Sequence, residues 1–291
     1  MIPLFVKRII RPELLFIFLF SVIFSYFSNS LFAQTSSKEV VNKMLHAITG
    51  IKTLKYNSRI TERIEGVLEA GENLTKLNVS PFQAYVKVKS AELLYVTGKN
   101  NNKALIKANT IPYFNISLDP NSSLLRDGQH HTIFELGFNY FADIIKAATI
   151  KAGSDFDKCF QLKGTINWEG RSCYVVIIEA PDFSYIPYTV KQGENIITIA
   201  RKLNLSEYMI VEINPNLDDY YHVKPGQEIK IPTVYAKKTV IYIDKESYLP
   251  LVQMMFDDKG LFAKYEYRNL EINPKFLPEE FTKEFKDYNF W

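Results

Sequence analysis

The side chains able to do chemistry in this chain are few. Its 291 residues include four histidines, at positions 46, 130, 131 and 222, and two cysteines, Cys159 and Cys173. A zinc hydrolase draws several His, Cys or acidic ligands onto one ion. The single adjacent pair, His130-His131, does not fit, because neighbouring side chains diverge on a strand or a helix. It reads as a loop ahead of a helix, and His46 as a residue bordering an apolar helix face. A thiol nucleophile needs a thiolate and a His base. Cys173 lies mid-strand in Arg171-Ser172-Cys173-Tyr174 without such a motif. No G-x-S-x-G elbow or phosphate-cradling glycine loop is present. The carboxylate pairs Glu62/Glu65 and Asp257/Asp258 read as solvated strand and turn residues. A glycosidase stays open, since its two carboxylates need no fixed spacing. The inventory favours a non-enzymatic protein with no catalytic residues, metal or cofactor.

The elements that would position a binding site begin after a targeting segment, residues 1–33. Lys7, Arg8 and Arg11 precede the apolar run Leu14–Phe27, and Ala33-Gln34 suits cleavage. The run is short for a membrane span of about 20 residues, and no cysteine near it suggests a lipobox anchor. The expectation is a soluble secreted chain in the periplasm. Removing the segment leaves 32 basic against 31 acidic residues, a net of +1, which gives no support for nucleic-acid binding.

Ser36 to Glu39 has capping-box spacing, and Val40, Val41, Met44, Leu45 and Ile48 form one helix face. The period then becomes two. Strands are expected over 58–67 and 71–79, and Phe82, Ala84, Val86 and Val88 alternate with Gln83, Tyr85, Lys87 and Lys89. That is a sheet with one buried and one wetted face. A hairpin follows around Gly98–Asn102. Thr132–Glu135, a second capping box, opens a helix carrying Phe138, Phe141, Ile144, Ile145 and Ala148. A long hairpin, 157–168 with 171–179, holds both cysteines. With Trp168 opposite Arg171, Cys173 faces Ile166 and Cys159 lies seven residues away, about 23 Å. Bridged Cα atoms lie within about 7 Å, so this register disfavours an intra-hairpin disulfide; a bulge or a different turn would reverse that, and an oxidising compartment would permit the bond.

Tyr188–Pro232 is the most consistent stretch. Tyr188–Lys191 is a strand; Ile196, Ile199, Ala200 and Leu203 recur at helical spacing; Ser206 caps a second helix with Met209, Ile210 and Ile213; Glu228–Ile231 is a final strand. With Tyr188-Thr189-Val190, Gly193-Glu194, Ile199-Ala200, Asn214-Pro215 and Pro225-Gly226-Gln227, the stretch resembles a LysM domain. The resemblance implies binding of N-acetylglucosamine polymers, chiefly peptidoglycan glycan strands. They would lie in a shallow groove between Gly193, Glu194, Asn195 and Ile196 on one side and Asn214, Pro215 and Asn216 on the other. Asn195 stands where the family has Thr or Ser, and Ile197 where Trp or Tyr is frequent. A degenerate module kept for folding or protein contact is the alternative.

The flanking sequence, with YIDKESYLPL, DDKGLFAKYEYRNLEIN and LPEEFTKEFKDYNF, resembles LolA/LolB-like lipoprotein carriers. It implies an α+β host, a curved antiparallel half-barrel with helices across it, in two parts (34–186 and 234–291) around a βααβ insert at 187–233. Lipid or lipoprotein acyl chains would be further partners if the apolar faces enclose a cavity. A closed core would make the host an envelope scaffold. LysM modules also accompany wall hydrolases, a third reading that the residue inventory disfavours.

Overall fold

The computed structural model describes residues 35–109, 114–217 and 219–290; the expected targeting segment, residues 1–33, lies outside them. From Ser37 onward the chain is one compact unit. Helix α1 is Ser37–Thr49. Strands β1 (Thr53–Ile64), β2 (Val67–Asn78), β3 (Gln83–Val88), β4 (Ala91–Val96), β5 (Ala104–Ala108) and β6 (Asn115–Leu118) follow as a meander. Helices α2 (Ser123–Arg126), α3 (Asn139–Ala152) and α4 (Phe156–Cys159) lead to β7 (Phe160–Trp168) and β8 (Arg171–Glu179). The insert holds β9 (Tyr185–Thr189), α5 (Ile196–Leu203), α6 (Glu207–Glu212) and β10 (Glu228–Pro232). Strands β11 (Lys238–Asp244), β12 (Pro250–Asp257) and β13 (Gly260–Ile272) complete the host.

Among the described residues, eleven strands make one open antiparallel sheet in the order β6-β5-β4-β3-β2-β1-β13-β12-β11-β8-β7. The α+β half-barrel expected from sequence is therefore present, with β6 and β7 as unpaired edges. One face packs on α1 and α3. Val40, Val41, Met44 and Ile48 from α1 and Phe141, Ile144 and Ile145 from α3 share a core with Leu54, Tyr56, Val176, Ile241 and Phe262.

Several boundaries differ from the sequence reading. The first hairpin turns on Glu65-Gly66, both at positive φ (48° and 84°), the two-residue geometry that matches strand twist. Its strands therefore meet there instead of at residues 67–71. The Thr132/Glu135 capping box forms, but it closes a single 3-10 turn, Ile133–Glu135. The helix starts only at Asn139. Gly137 intervenes at φ +79°, and a Cβ there would come within 2.9 Å of the Leu77 side chain. In the cysteine hairpin the expected register holds from Trp168↔Arg171 to Thr165↔Tyr174 and then shifts before Leu162↔Val176. Gly164 sits in that bulge at φ +108°. Cys159 ends helix α4 instead of lying in the strand, and both thiols are free.

The expected wetted face of β3 and β4 is in fact covered. Phe281, Tyr288 and Phe290 of the C-terminal segment pack on Tyr85 and Leu94, with the Tyr85 and Tyr288 rings stacked at 3.7 Å. Polar groups beneath are matched one by one. Lys76 pairs with Glu280 (2.6 Å), Lys107 donates to the Asn289 carbonyl (3.0 Å), and Glu92 accepts from the Asn289 amide (3.1 Å). Buried polar groups persist only with such partners.

Candidate functional site

Strands β9 and β10 pair in antiparallel register from Thr189↔Glu228 to Tyr185↔Pro232, so the insert begins and ends side by side. It has its own core of Val190, Ile196, Ile199, Ala200, Leu205, Ile210, Ile229 and Ile231. The chain leaves β9 through a turn in which Gly193 takes φ +78°. The Glu194 carboxylate accepts from the Lys191 amide (3.0 Å) and the Tyr188 hydroxyl (2.8 Å) and pairs with Lys202 (3.0 Å). The Lys191 amide, then Lys202 and Tyr188, hold its pKa at about 2, so it is ionised and committed. Asn195 caps α5: its Oδ1 accepts from the Thr198 amide and its own amide donates to Thr198 Oγ1, both at 2.9 Å. Asn thus does the work of the Thr or Ser usual there.

The seven residues singled out from sequence do different jobs. Gly193, Pro215 and Asn216 are exposed on the two loops. Ile196 is fully buried; only its backbone acts between the loops, its amide donating to the Tyr220 carbonyl (3.1 Å). Asn214 is spent on scaffolding. Its Nδ2 donates to the Ile210 and Lys230 carbonyls (both 2.7 Å), and its Oδ1 accepts from the Lys230 amide (2.8 Å). It ties the end of α6 to β10.

Sequence reasoning missed that the insert is docked on the host through buried charges. Arg126, 3% exposed, pairs with Glu207 of α6 and lies 4.8 Å over the Tyr220 ring. Burial and nearby Glu135 push the Glu207 carboxyl up against the pull of Arg126. Arg63 binds Asp257 with both terminal nitrogens and Glu212 with Nε and Nη2, each at 3.2 Å. Asp257 and Glu62, read from sequence as solvated, are 5% and 6% exposed. Glu62 accepts from the Tyr265 hydroxyl and from the His130 amide (2.9 Å). The His130 ring stacks between Tyr208 of α6 (4.3 Å) and Phe262 (4.2 Å), and Nε2 donates to the Arg63 carbonyl (3.0 Å). Burial lowers its pKa to about 4, so the ring is neutral.

Beneath this docking layer the host holds a cavity of about 530 Å³, lined from the sheet by Tyr56, Ile60, Glu62 and Tyr265 and from the other side by Leu136 and Tyr140. Its size falls within the range of about 300–1,000 Å³ typical of small-molecule sites. Burial raises the Tyr56 phenol to about 12 and Tyr265 well above its ordinary value, so both stay protonated. Gln253 also lines the cavity; its buried Nε2 has no hydrogen-bond partner among the described residues.

Burial, then the neighbouring Asp244 charge, pushes the Cys173 thiol up to about 11, far from a reactive thiolate. Among the described residues no three His, Cys, Asp or Glu groups could hold an ion.

Residues 188–232 match the LysM domain family, and residues 54–186 match a family described as "Protein of unknown function (DUF1571)". No curated protein matches the chain. Among solved structures, MucB is similar at 9% identity and a TM-score of 0.38, over 84% of this chain and 62% of MucB. The chain thus spans less than two thirds of MucB. A putative outer membrane lipoprotein-sorting protein domain from Vibrio parahaemolyticus gives 8% identity and 0.32, over 85% and 97% of the two chains. A LolA superfamily protein from Nitrosomonas europaea gives 9% and 0.24, over 84% and 96%.

Proposed function

We propose that this chain, whose residues 188–232 form a LysM domain, is a non-catalytic protein of the periplasm that binds the N-acetylglucosamine glycan of peptidoglycan. The observation that carries the reading is the LysM match itself. The loop of Gly193, Glu194, Asn195 and Ile196 and the loop of Asn214, Pro215 and Asn216 form the two sides of the site. Gly193, Pro215 and Asn216 are exposed to a ligand. Glu194, Asn195 and Asn214 hold the loops in shape, which lowers the ordering cost of binding.

The test is co-sedimentation of the purified protein with peptidoglycan sacculi, beside a variant carrying Pro215→Glu and Asn216→Glu. Both positions are exposed, so the fold should survive. Wild type in the pellet and the variant in the supernatant support the reading. Wild type left in the supernatant overturns it.

For the host, the cavity favours an amphiphile carrier over a closed scaffold. The ligand would be a lipid or lipoprotein acyl chain lying along Ile60 and Leu136, with an acceptor group on Gln253 Nε2. Mass spectrometry of organic extracts decides: co-purifying lipid supports a carrier, and a clean extract from envelope-expressed protein favours a scaffold.

A further inference from the structure

The host contributes one wall of a groove beside Asn195 of the insert. The loop Asp119–Ser122, just ahead of α2, is bound to the insert. The Tyr221 hydroxyl donates to the Asn121 carbonyl, and Arg126 reaches the same residue twice, Nε to its carbonyl and Nη2 to its Oδ1, both at 3.2 Å. Since Arg126 also pairs with Glu207, one buried guanidinium clamps the host loop to the LysM fold. Between them runs a groove of about 340 Å³. Its host side is Asp119, Asn121 and Ser122, and its insert side is Asn195, Ile197, Thr198, Arg201 and Tyr221.

The chemistry of this groove is specific. The Ser122 hydroxyl oxygen is buried without a hydrogen-bond partner among the described residues, and such groups ordinarily have one. Asn195 caps α5 through Oδ1 alone, leaving Nδ2 as a donor. Asp119 uses Oδ1 to hold the Asn121 amide (2.8 Å), leaving Oδ2 as an acceptor. Tyr221 and Ile197 supply apolar surface. Arg201 is already matched by Glu135 (3.2 Å) and Glu207 (3.3 Å), so it offers no spare charge to an anion. A hydroxyl, an amide and a carboxylate converging beside a phenol ring suit a neutral, polyhydroxylated ring. Asn195 belongs both to this groove and to the LysM loop that faces the glycan.

We propose that this composite groove is an additional pyranose subsite, continuing the LysM site onto the host, with Asp119 and Ser122 as its host-side specificity residues. The proposal rests on the LysM reading above. It makes glycan length matter more than it would for a free-standing module.

Calorimetric titration of the whole protein with N-acetylglucosamine oligomers of two to six units tests it, beside Asp119→Ala/Ser122→Ala. Arg126 grips Asn121 and neither the Asp119 nor the Ser122 side chain; because Asp119 does hold the Asn121 amide, matched unfolding temperatures and an unchanged dimer affinity are required of the variant. The wild type should gain affinity with each added unit up to the length that fills the groove. The variant should bind the longest oligomers about tenfold more weakly, the effect of losing one or two hydrogen bonds, and the dimer unchanged. If both bind every length alike, the subsite is wrong while the LysM reading stands. If wild type binds no oligomer, both fail. If fragments bearing acidic stem peptides bind more tightly than bare oligomers of equal length, and only in wild type, the groove belongs to the peptide and the sugar assignment falls.

Discussion

Acidification tests the docking layer most directly, because His130 is its most sensitive member. The ring is 3% exposed, stacked between Tyr208 and Phe262, and surrounded by Glu62, Arg63, Glu212 and Asp257. Burial, helped by the Arg63 charge, outweighs the bond to the Arg63 carbonyl and the Glu212 and Asp257 carboxylates and lowers its pKa from 6.5 to about 4. The unfolded chain therefore takes up the proton first as pH falls. The stabilisation is complete above about pH 6.5 and is lost progressively down to about pH 4. A shift of about 2.5 units corresponds to roughly 3 kcal/mol, or about 6–12 °C in Tm for a chain of this size. His130→Phe preserves the stack but gives up the bond to the Arg63 carbonyl, at about 1 kcal/mol. It should be slightly less stable than wild type at pH 7 and more stable at pH 4.5. Urea unfolding of both proteins across that range measures the difference, and carboxylates common to the two cancel. Parallel stability curves from pH 7 to 4.5 would refute the reasoning.

Three further outcomes are expected. Arg126→Met leaves Glu207 buried without its principal partner and frees the Asn121 loop, so it should cost about 3–5 kcal/mol; Arg126→Met/Glu207→Met should recover part of that in a thermal-melt cycle, and strict additivity would show that the two do not interact. Ile60→Trp places a large ring in the cavity and should abolish co-purification of any amphiphile, read by native mass spectrometry, while leaving pelleting with sacculi intact. Tyr288→Ala removes the ring stacked on Tyr85 and should lower stability by about 3 kcal/mol, seen as a lower urea midpoint; a shift under about 0.5 kcal/mol would mean the C-terminal segment is only loosely applied.

What could be read from the sequence was what short-range chemistry decides. The insert was legible because its glycine turn, its cap at Ser206 and its apolar spacing all act within a few residues, whereas the cap formed by Asn195 emerged only in the structure. The α1 face and the register from Trp168↔Arg171 were legible for the same reason. Tyr85 was misread because its cover, Phe281 and Tyr288, lies far away in the chain and alternation alone cannot reveal it. Glu62 and Asp257 were misread likewise. Glu62 is held by His130 and Tyr265 and Asp257 by Arg63, partners that lie far away in the chain. The host side of the groove between Asn121 and Tyr221 could not be inferred at all, since nothing in residues 119–122 announces a neighbour at Tyr221. Within the insert, the aromatic pair Tyr220-Tyr221 in a polar loop was the available clue.

The order of the sheet has a consequence for how the chain comes into being. Strand β1, near the start of the described chain, lies in the sheet between β2 and the last strand, β13. The meander β1 to β6 can pair as it emerges, yet one side of β1 stays open until residues 260–272 arrive. Contacts this remote form slowly, and an open edge invites pairing with other chains. The insert closes through β9 and β10 before β13 emerges, so it can fold ahead of the completed sheet. Synthesis interrupted before β13 would then release a chain with a finished LysM module and an unfinished sheet, a species prone to aggregate.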